Sequence, residues 1–146
     1  MKKISKLIIF FYLIINIFNI SSANEYFFKK GKELYDDKRY EAARFMFERS
    51  IVFNPKDSNS YLYLAKIYNI EENRNKEEKN LEATLLIEPS NEEAILMKMK
   101  IALQKSDYSE VKTLLKTFTN VCKNLCDESK DILVTLGNIE PKNNES

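Results

Sequence analysis

Lysine recurs at a fixed interval in this chain, at Lys32, Lys66 and Lys100, each 34 residues after the last. An ammonium group attracts carboxylates, so three lysines on one surface would favour a ligand that carries acidic groups. The alternative is that these side chains simply face solvent, because lysine is abundant in the sequence. The choice between the two depends on the helices that carry them.

The only thiols are Cys122 and Cys126, which three residues separate. This spacing differs from the redox Cys-x-x-Cys motif and from half a zinc site. The sequence contains no histidine that could complete a zinc site with them. In an oxidising compartment the pair predicts a local disulfide, with free thiols as the alternative. We therefore expect no metal and no cofactor.

The sequence lacks the usual groups of an enzyme active site. It has no histidine, no glycine-rich phosphate loop and no nucleophile with a base nearby. We interpret the carboxylate pairs Asp36–Asp37 and Glu77–Glu78 as solvated helix faces. The formal net charge of +1 gives no basic footprint for nucleic acid. We predict a protein that is neither an enzyme nor a nucleic-acid binder.

Composition favours long helices with short connections, because the 146 residues include only two glycines and three prolines. One helical pattern, Tyr40–Pro55, returns 34 residues later, with Leu81 in the place of Phe47 and Pro89 in the place of Pro55. An accidental amphipathic helix would give the 3.6-residue period but not this constant phase. The chain therefore contains a structural repeat.

The repeat resembles the tetratricopeptide repeat (TPR), a helix-turn-helix unit of 34 residues. This resemblance implies an all-α fold, a right-handed α-solenoid of three TPR units with a C-terminal capping helix. The expected units are 24–57, 58–91 and 92–125, and the capping helix is 127–138. The expected helices are 24–36, 40–53, 58–71, 74–87, 92–104 and 107–121.

The chain departs from the TPR pattern at four positions, which are Lys30, Lys98, Glu77 and Phe118. The two lysines replace leucine, and lysine can bury its stem while its charge stays in water. Glu77 stands where alanine is usual. Phe118 stands where a small residue is usual, so we expect the third unit to pack against the capping helix.

The capping helix shows an apolar stripe of Ile132, Leu133 and Leu136, and Gly137 is its expected end. Residues 139–146 form a polar tail, predicted to be disordered. Two capping boxes are predicted from Ser or Asp followed by Glu three residues later, at Ser90–Glu93 and Asp107–Glu110.

The TPR resemblance also implies a binding groove, because the first helix of each unit lines a concave face in that family. The residues at the corresponding places are Phe28, Lys29, Lys32, Tyr35, Leu62, Tyr63, Lys66, Asn69, Leu96, Met97, Lys100 and Leu103. Such a surface suits a protein or peptide ligand with acidic groups, with aromatic side chains supplying much of the affinity. It lacks the full set of groups by which co-chaperone members of the family clamp a C-terminal carboxylate.

The first 23 residues have the features of a bacterial secretory signal peptide. Three lysines come first, an apolar run Leu7–Ile20 follows, and the small residues Ser21-Ser22-Ala23 precede the expected cleavage site. Cleavage would leave Asn24 as the N-terminus, in the periplasm or outside the cell. The apolar run is shorter than the ~20 residues that a spanning helix needs. The alternatives are an inner-membrane-tethered accessory subunit that keeps this segment, and a structural subunit that self-associates through its third unit.

Overall fold

The structure, a computed structural model, describes residues 23–139. We number the helices α1 to α7: residues 23–36, Tyr40–Phe53, Ser58–Ile70, Arg74–Ile87, Glu92–Gln104, Tyr108–Val121 and Ser129–Ile139, with a 3₁₀ turn at Cys126–Glu128. No strand occurs within residues 23–139. The all-α prediction is therefore confirmed, and the first six helices agree with the predicted bounds within one residue. Residues 1–22 and 140–146, which hold most of the predicted signal peptide and tail, lie outside the described part.

The 34-residue repeat is visible in the backbone of the turns inside the helix pairs. Lys38, Glu72 and Ser106 have φ values of 60°, 55° and 58°. After each of them a backbone N–H bonds back across the turn, as from Arg39 to the carbonyl of Leu34 at 2.8 Å. This is the Schellman ending of a helix, which usually uses glycine. The same turn therefore recurs at one phase, although the sequence has no glycine at these positions.

Contacts divide the chain into two compact parts, one ending at Asn80 and the other beginning at Leu81. These parts do not coincide with the three TPR units, and below we call them the first unit and the second unit. The first unit contains α1, α2, α3 and the start of α4. Its core cluster comprises Leu34, Ala43, Phe47, Leu64, Ile67 and Tyr68. Gly31 of α1 lies against this core, since a Cβ added there would meet a ring carbon of Phe47 at 2.8 Å. A small residue is thus required where α1 crosses α2.

The second unit contains the rest of α4 and α5 to α7. Its core cluster comprises Ile95, Leu96, Met99, Ala102, Val111, Phe118, Ile132 and Leu136. Phe118, which departs from the TPR pattern, is fully buried in the same cluster as Ile132 and Leu136 of α7. Two expectations for α7 are wrong. Leu133 is 46% exposed rather than part of the apolar stripe, and the helix continues through Gly137 to Ile139.

Side chains cap the starts of α3, α4, α5 and α6, and at α4 the side chain of Asn73 accepts from the N–H of Lys76 at 3.3 Å. The carboxylate of Asp57 accepts from the N–H of Ser60, and that of Asp107 accepts from the N–H of Glu110. The second of these agrees with the predicted cap at Asp107. The predicted cap at Ser90 is wrong, because Asn91 is the N-cap residue and its side chain accepts from the N–H of Ala94 at 3.0 Å. The helix begins one residue later than the Ser-x-x-Glu pattern indicated.

Candidate peptide-binding surface

Aromatic side chains from three helices of the first unit form one cluster. Phe47 of α2 is fully buried, and the ring of Tyr63 on α3 stacks on it with 4.9 Å between centroids. Phe28 and Tyr35, two turns apart on one face of α1, meet the Tyr63 ring edge-on at 5.8 and 5.1 Å. Edge-to-face and offset contacts of this kind fix the rings relative to one another. We call Phe28, Tyr35 and Tyr63, which are all half-buried, the aromatic triad.

Three of the predicted groove lysines lie on the two helices that carry the aromatic triad. The ammonium of Lys66 lies over the Tyr63 ring, 4.6 Å from its centroid, which is a cation–π contact. Lys29 and Lys32 are exposed on α1, the helix that carries Phe28 and Tyr35. Lys30, beside them, pairs with Glu33 on the same helix at 3.0 Å. The predicted groove residues of the first unit therefore combine π faces with positive charge.

Asn69, a further predicted groove residue, has its amide engaged with a carboxylate. Its Nδ2 donates to Glu77 at 2.9 Å, and Arg74 donates to the other oxygen of Glu77 at 2.8 Å. Glu77 is only 2% exposed, so the interpretation of this residue as part of a solvated face is wrong. Burial of a carboxylate is costly unless it is paired and hydrogen-bonded, which these two partners provide. The departure from alanine at this position was the signal that could have revealed the cluster.

Two predicted groove residues are not available to a ligand in this structure. Leu62 and Leu96 are each 5% exposed, so they belong to the interior rather than to a binding surface. The TPR resemblance assigned them by position alone, and a leucine at a groove position can also fill the space beneath it. Met97 and Leu103 of α5 are half-buried, and Lys100 on the same helix is exposed. The alignment of Lys100 with Lys32 and Lys66 stays a prediction.

A second group of apolar side chains lies on the first unit outside the predicted set. The rings of Phe27 and Phe53 stack at 5.3 Å, and the guanidinium of Arg49 lies 5.0 Å from the Phe27 centroid and 5.4 Å from that of Phe45. Phe45 is 52% exposed. We note this group as an exposed aromatic surface that sequence reasoning did not identify as such.

Cys122 and Cys126 form a disulfide, with 5.3 Å between their Cα atoms. The break in the helix that such a bond requires is present, because α6 ends at Val121 and the backbone of Cys122 is extended. Three consecutive backbone N–H groups of the loop between the cysteines donate hydrogen bonds to the carboxylate of Glu92. The hydrogen bond from the Leu125 N–H is the main cause that holds the pKa of Glu92 below its usual value. Sequence reasoning missed Glu92, because its partners lie more than 30 residues further along the chain.

Between residues 23 and 139 there is no cluster of three or more His, Cys, Asp or Glu side chains arranged to hold a metal ion. Over the same range no helix is long and apolar enough to span a bilayer.

No protein-family model and no curated protein sequence matches this chain. Several solved structures are similar to it. The type III secretion chaperone SycD of Yersinia enterocolitica, in complex with a peptide of the translocator YopD, has a TM-score of 0.68 at 16% identity, over 78% of this chain and 89% of SycD. The TPR domain of Arabidopsis OM64 has a TM-score of 0.67 at 18% identity, over 82% of this chain and 95% of that domain.

A chain of the CopN–Scc3 complex has a TM-score of 0.63 at 18% identity, over 76% of this chain and 66% of that chain. At these identities the similarity concerns the fold. Together with the recurring turns at Lys38, Glu72 and Ser106, it shows that the chain has a TPR-like helical repeat fold.

Proposed function

We propose that this protein is a non-catalytic module of the bacterial cell envelope that binds a protein or peptide segment through the surface around the aromatic triad. The observation that carries this proposal is the combination of half-buried rings and lysines on one side of a TPR-like unit. The SycD structure, with its bound YopD peptide, supports the same use of the fold. Scaffolding, assembly and chaperone-like holding of a client are the roles that fit.

The chemistry of the surface defines the ligand. Aromatic rings that are already fixed by their neighbours lose little side-chain entropy on binding, so they can contribute affinity at low cost. Lys29 and Lys32 add positive charge that steers acidic groups and rejects basic ones. We therefore propose an extended or helical peptide in which apolar side chains alternate with carboxylates.

The second candidate differs in attachment rather than in binding. If residues 1–23 are retained, the protein is an accessory subunit tethered to the inner membrane, and its repeats organise a complex there. The apolar run Leu7–Ile20 favours this candidate. We prefer the cleaved form, because the run is shorter than ~20 residues and small residues follow it.

Charge reversal of the three repeated lysines tests the binding surface. We expect the variant Lys32→Glu, Lys66→Glu, Lys100→Glu to recover about tenfold less partner after cross-linking in the native cell, since like charges then oppose an acidic ligand. Partners are identified by mass spectrometry of the cross-linked species. Helix content measured by circular dichroism should equal that of the wild type.

The matched control reverses three exposed lysines elsewhere, with Lys56→Glu, Lys79→Glu and Lys116→Glu. It makes the same change in net charge, so it should keep the wild-type recovery. If the variant at Lys32, Lys66 and Lys100 recovers as much partner as the wild type, the proposed surface is contradicted. A loss of the same size in both would assign the effect to net charge alone.

A further inference from the structure

The loop that Cys122 and Cys126 close is attached to the start of α5 through a carboxylate. Glu92 accepts from the backbone N–H of Lys123 at 3.0 Å through Oε1, and from those of Asn124 and Leu125 at 3.0 and 2.7 Å through Oε2. Consecutive N–H groups that converge on one anion form a nest. The negative charge that fills this nest comes from the chain itself.

The same loop leads directly into α7. The hydroxyl of Ser129, the first residue of α7, donates to the carbonyl of Cys126 at 2.9 Å, and Ser129 is buried. From there Ile132 and Leu136 are buried in the cluster that contains Phe118. Glu92, the disulfide and α7 therefore form one continuous attachment on the second unit.

We propose that the disulfide loop is a redox-sensitive latch for α7. In the oxidised protein the bond between Cys122 and Cys126 keeps three N–H groups directed at Glu92, and this holds α7 over Phe118. Reduction lets the five-residue loop change its backbone, so the nest opens and α7 detaches from its apolar surface. This inference does not depend on the peptide surface proposed above.

The reductant is a dithiol, and the accessible sulfur decides where it attacks. Cys126 is exposed and Cys122 is half-buried. One thiolate of the dithiol bonds to Sγ of Cys126, the S–S bond breaks, and Cys122 leaves as a thiolate that takes up a proton. The second thiol of the reductant then displaces Cys126 as a thiolate. The protein gains two electrons and two protons, and the dithiol becomes a disulfide.

Amide hydrogen exchange of the oxidised and reduced protein tests the latch, with dithiothreitol as the reductant. On reduction we expect exchange in α7 to become about tenfold faster, because opening of a local segment sets the exchange rate there. Exchange in α2, which belongs to the first unit, should stay constant. The variant Cys122→Ser, Cys126→Ser should exchange fast in α7 with or without dithiothreitol. Protection of α7 in this variant equal to that in the oxidised wild type would overturn the proposal.

Alkylation of both thiols, counted by mass, establishes complete reduction. An unchanged exchange rate in α7 after complete reduction would overturn the latch. A rise of equal size in α2 and α7 would also overturn it, since the disulfide would then stabilise the whole chain and hold no particular helix.

The role of Glu92 is tested by comparison with its neighbour. Glu92 and Glu93 both lie in the first turn of α5, so neutralising either one removes the same interaction with the helix dipole. We expect Glu92→Gln to increase α7 exchange several-fold in the oxidised protein and Glu93→Gln to leave it unchanged. If the two variants change α7 exchange equally, the carboxylate of Glu92 has no specific role in the latch.

Discussion

At the scale of single residues, the two glycines of this chain have opposite surroundings. Gly31 faces the buried ring of Phe47, with three ring carbons within 3.0 Å of the position of an added Cβ. Gly137 lies in α7 with nothing within 4 Å of that position. Neither has a positive φ. Packing alone therefore decides what an alanine would do at each site.

Replacement of both glycines by alanine should change stability in opposite directions. Gly31→Ala gains about 1 kcal/mol of helix propensity but loses about 1–3 kcal/mol through overpacking against Phe47, so we expect lower stability. Gly137→Ala gains up to about 1 kcal/mol with no clash, so we expect higher stability. Urea unfolding measures both. A Gly31→Ala variant as stable as Gly137→Ala would contradict the close packing of α1 on α2.

At the scale of the helices, the ends are fixed by local chemistry that sequence patterns indicate only approximately. Asp107 is the N-cap of α6 as its pattern predicts, but α5 uses Asn91 rather than Ser90. Ser90 and Asn91 can each cap a helix, and both precede the first turn of α5, which contains two glutamates. The choice depends on where the backbone leaves the preceding turn, and Asn91 has the extended backbone that an N-cap requires.

Alanine substitution at the two candidate caps separates them. Asn91→Ala should lower the free energy of unfolding by about 1 kcal/mol, because the N–H of Ala94 loses its acceptor. Ser90→Ala should leave it within about 0.5 kcal/mol of the wild type, as exposed surface substitutions usually do. Thermal or urea unfolding provides the measurement. A larger effect at Ser90 would restore the capping box that the sequence indicated.

At the scale of the whole molecule, the position of the mature N-terminus decides between the two proposed attachments. Cleavage after Ala23 removes three lysines and the apolar run, so it changes both the net charge and the affinity for membranes. Asn24 has a place in the folded chain, because its side chain lies 2.6 Å from the hydroxyl of the buried Ser50. Cleavage between Ala23 and Asn24 would keep Asn24, and with it this hydrogen bond, in the mature protein.

Mass spectrometry of the protein isolated from its native cell tests the processing. We expect the N-terminal peptide to begin at Asn24, and the protein to be released in the periplasmic or extracellular fraction. Substitution of Ala23 by a large residue should block the cut, since the position before it requires a small side chain. A peptide that begins at Met1, found in the membrane fraction, would favour the tethered subunit.

By itself the sequence determined the 34-residue repeat and the bounds of the first six helices to within one residue, because these depend on the spacing of side chains along each helix. It also marked Glu77 and Phe118 as departures from the TPR pattern. Only the tertiary structure decided what these departures do. Glu77 is buried beside Asn69 and Arg74, and Glu92 binds backbone groups that lie far along the chain. Contacts between distant residues depend on how helices pack, and no pattern within one helix encodes them.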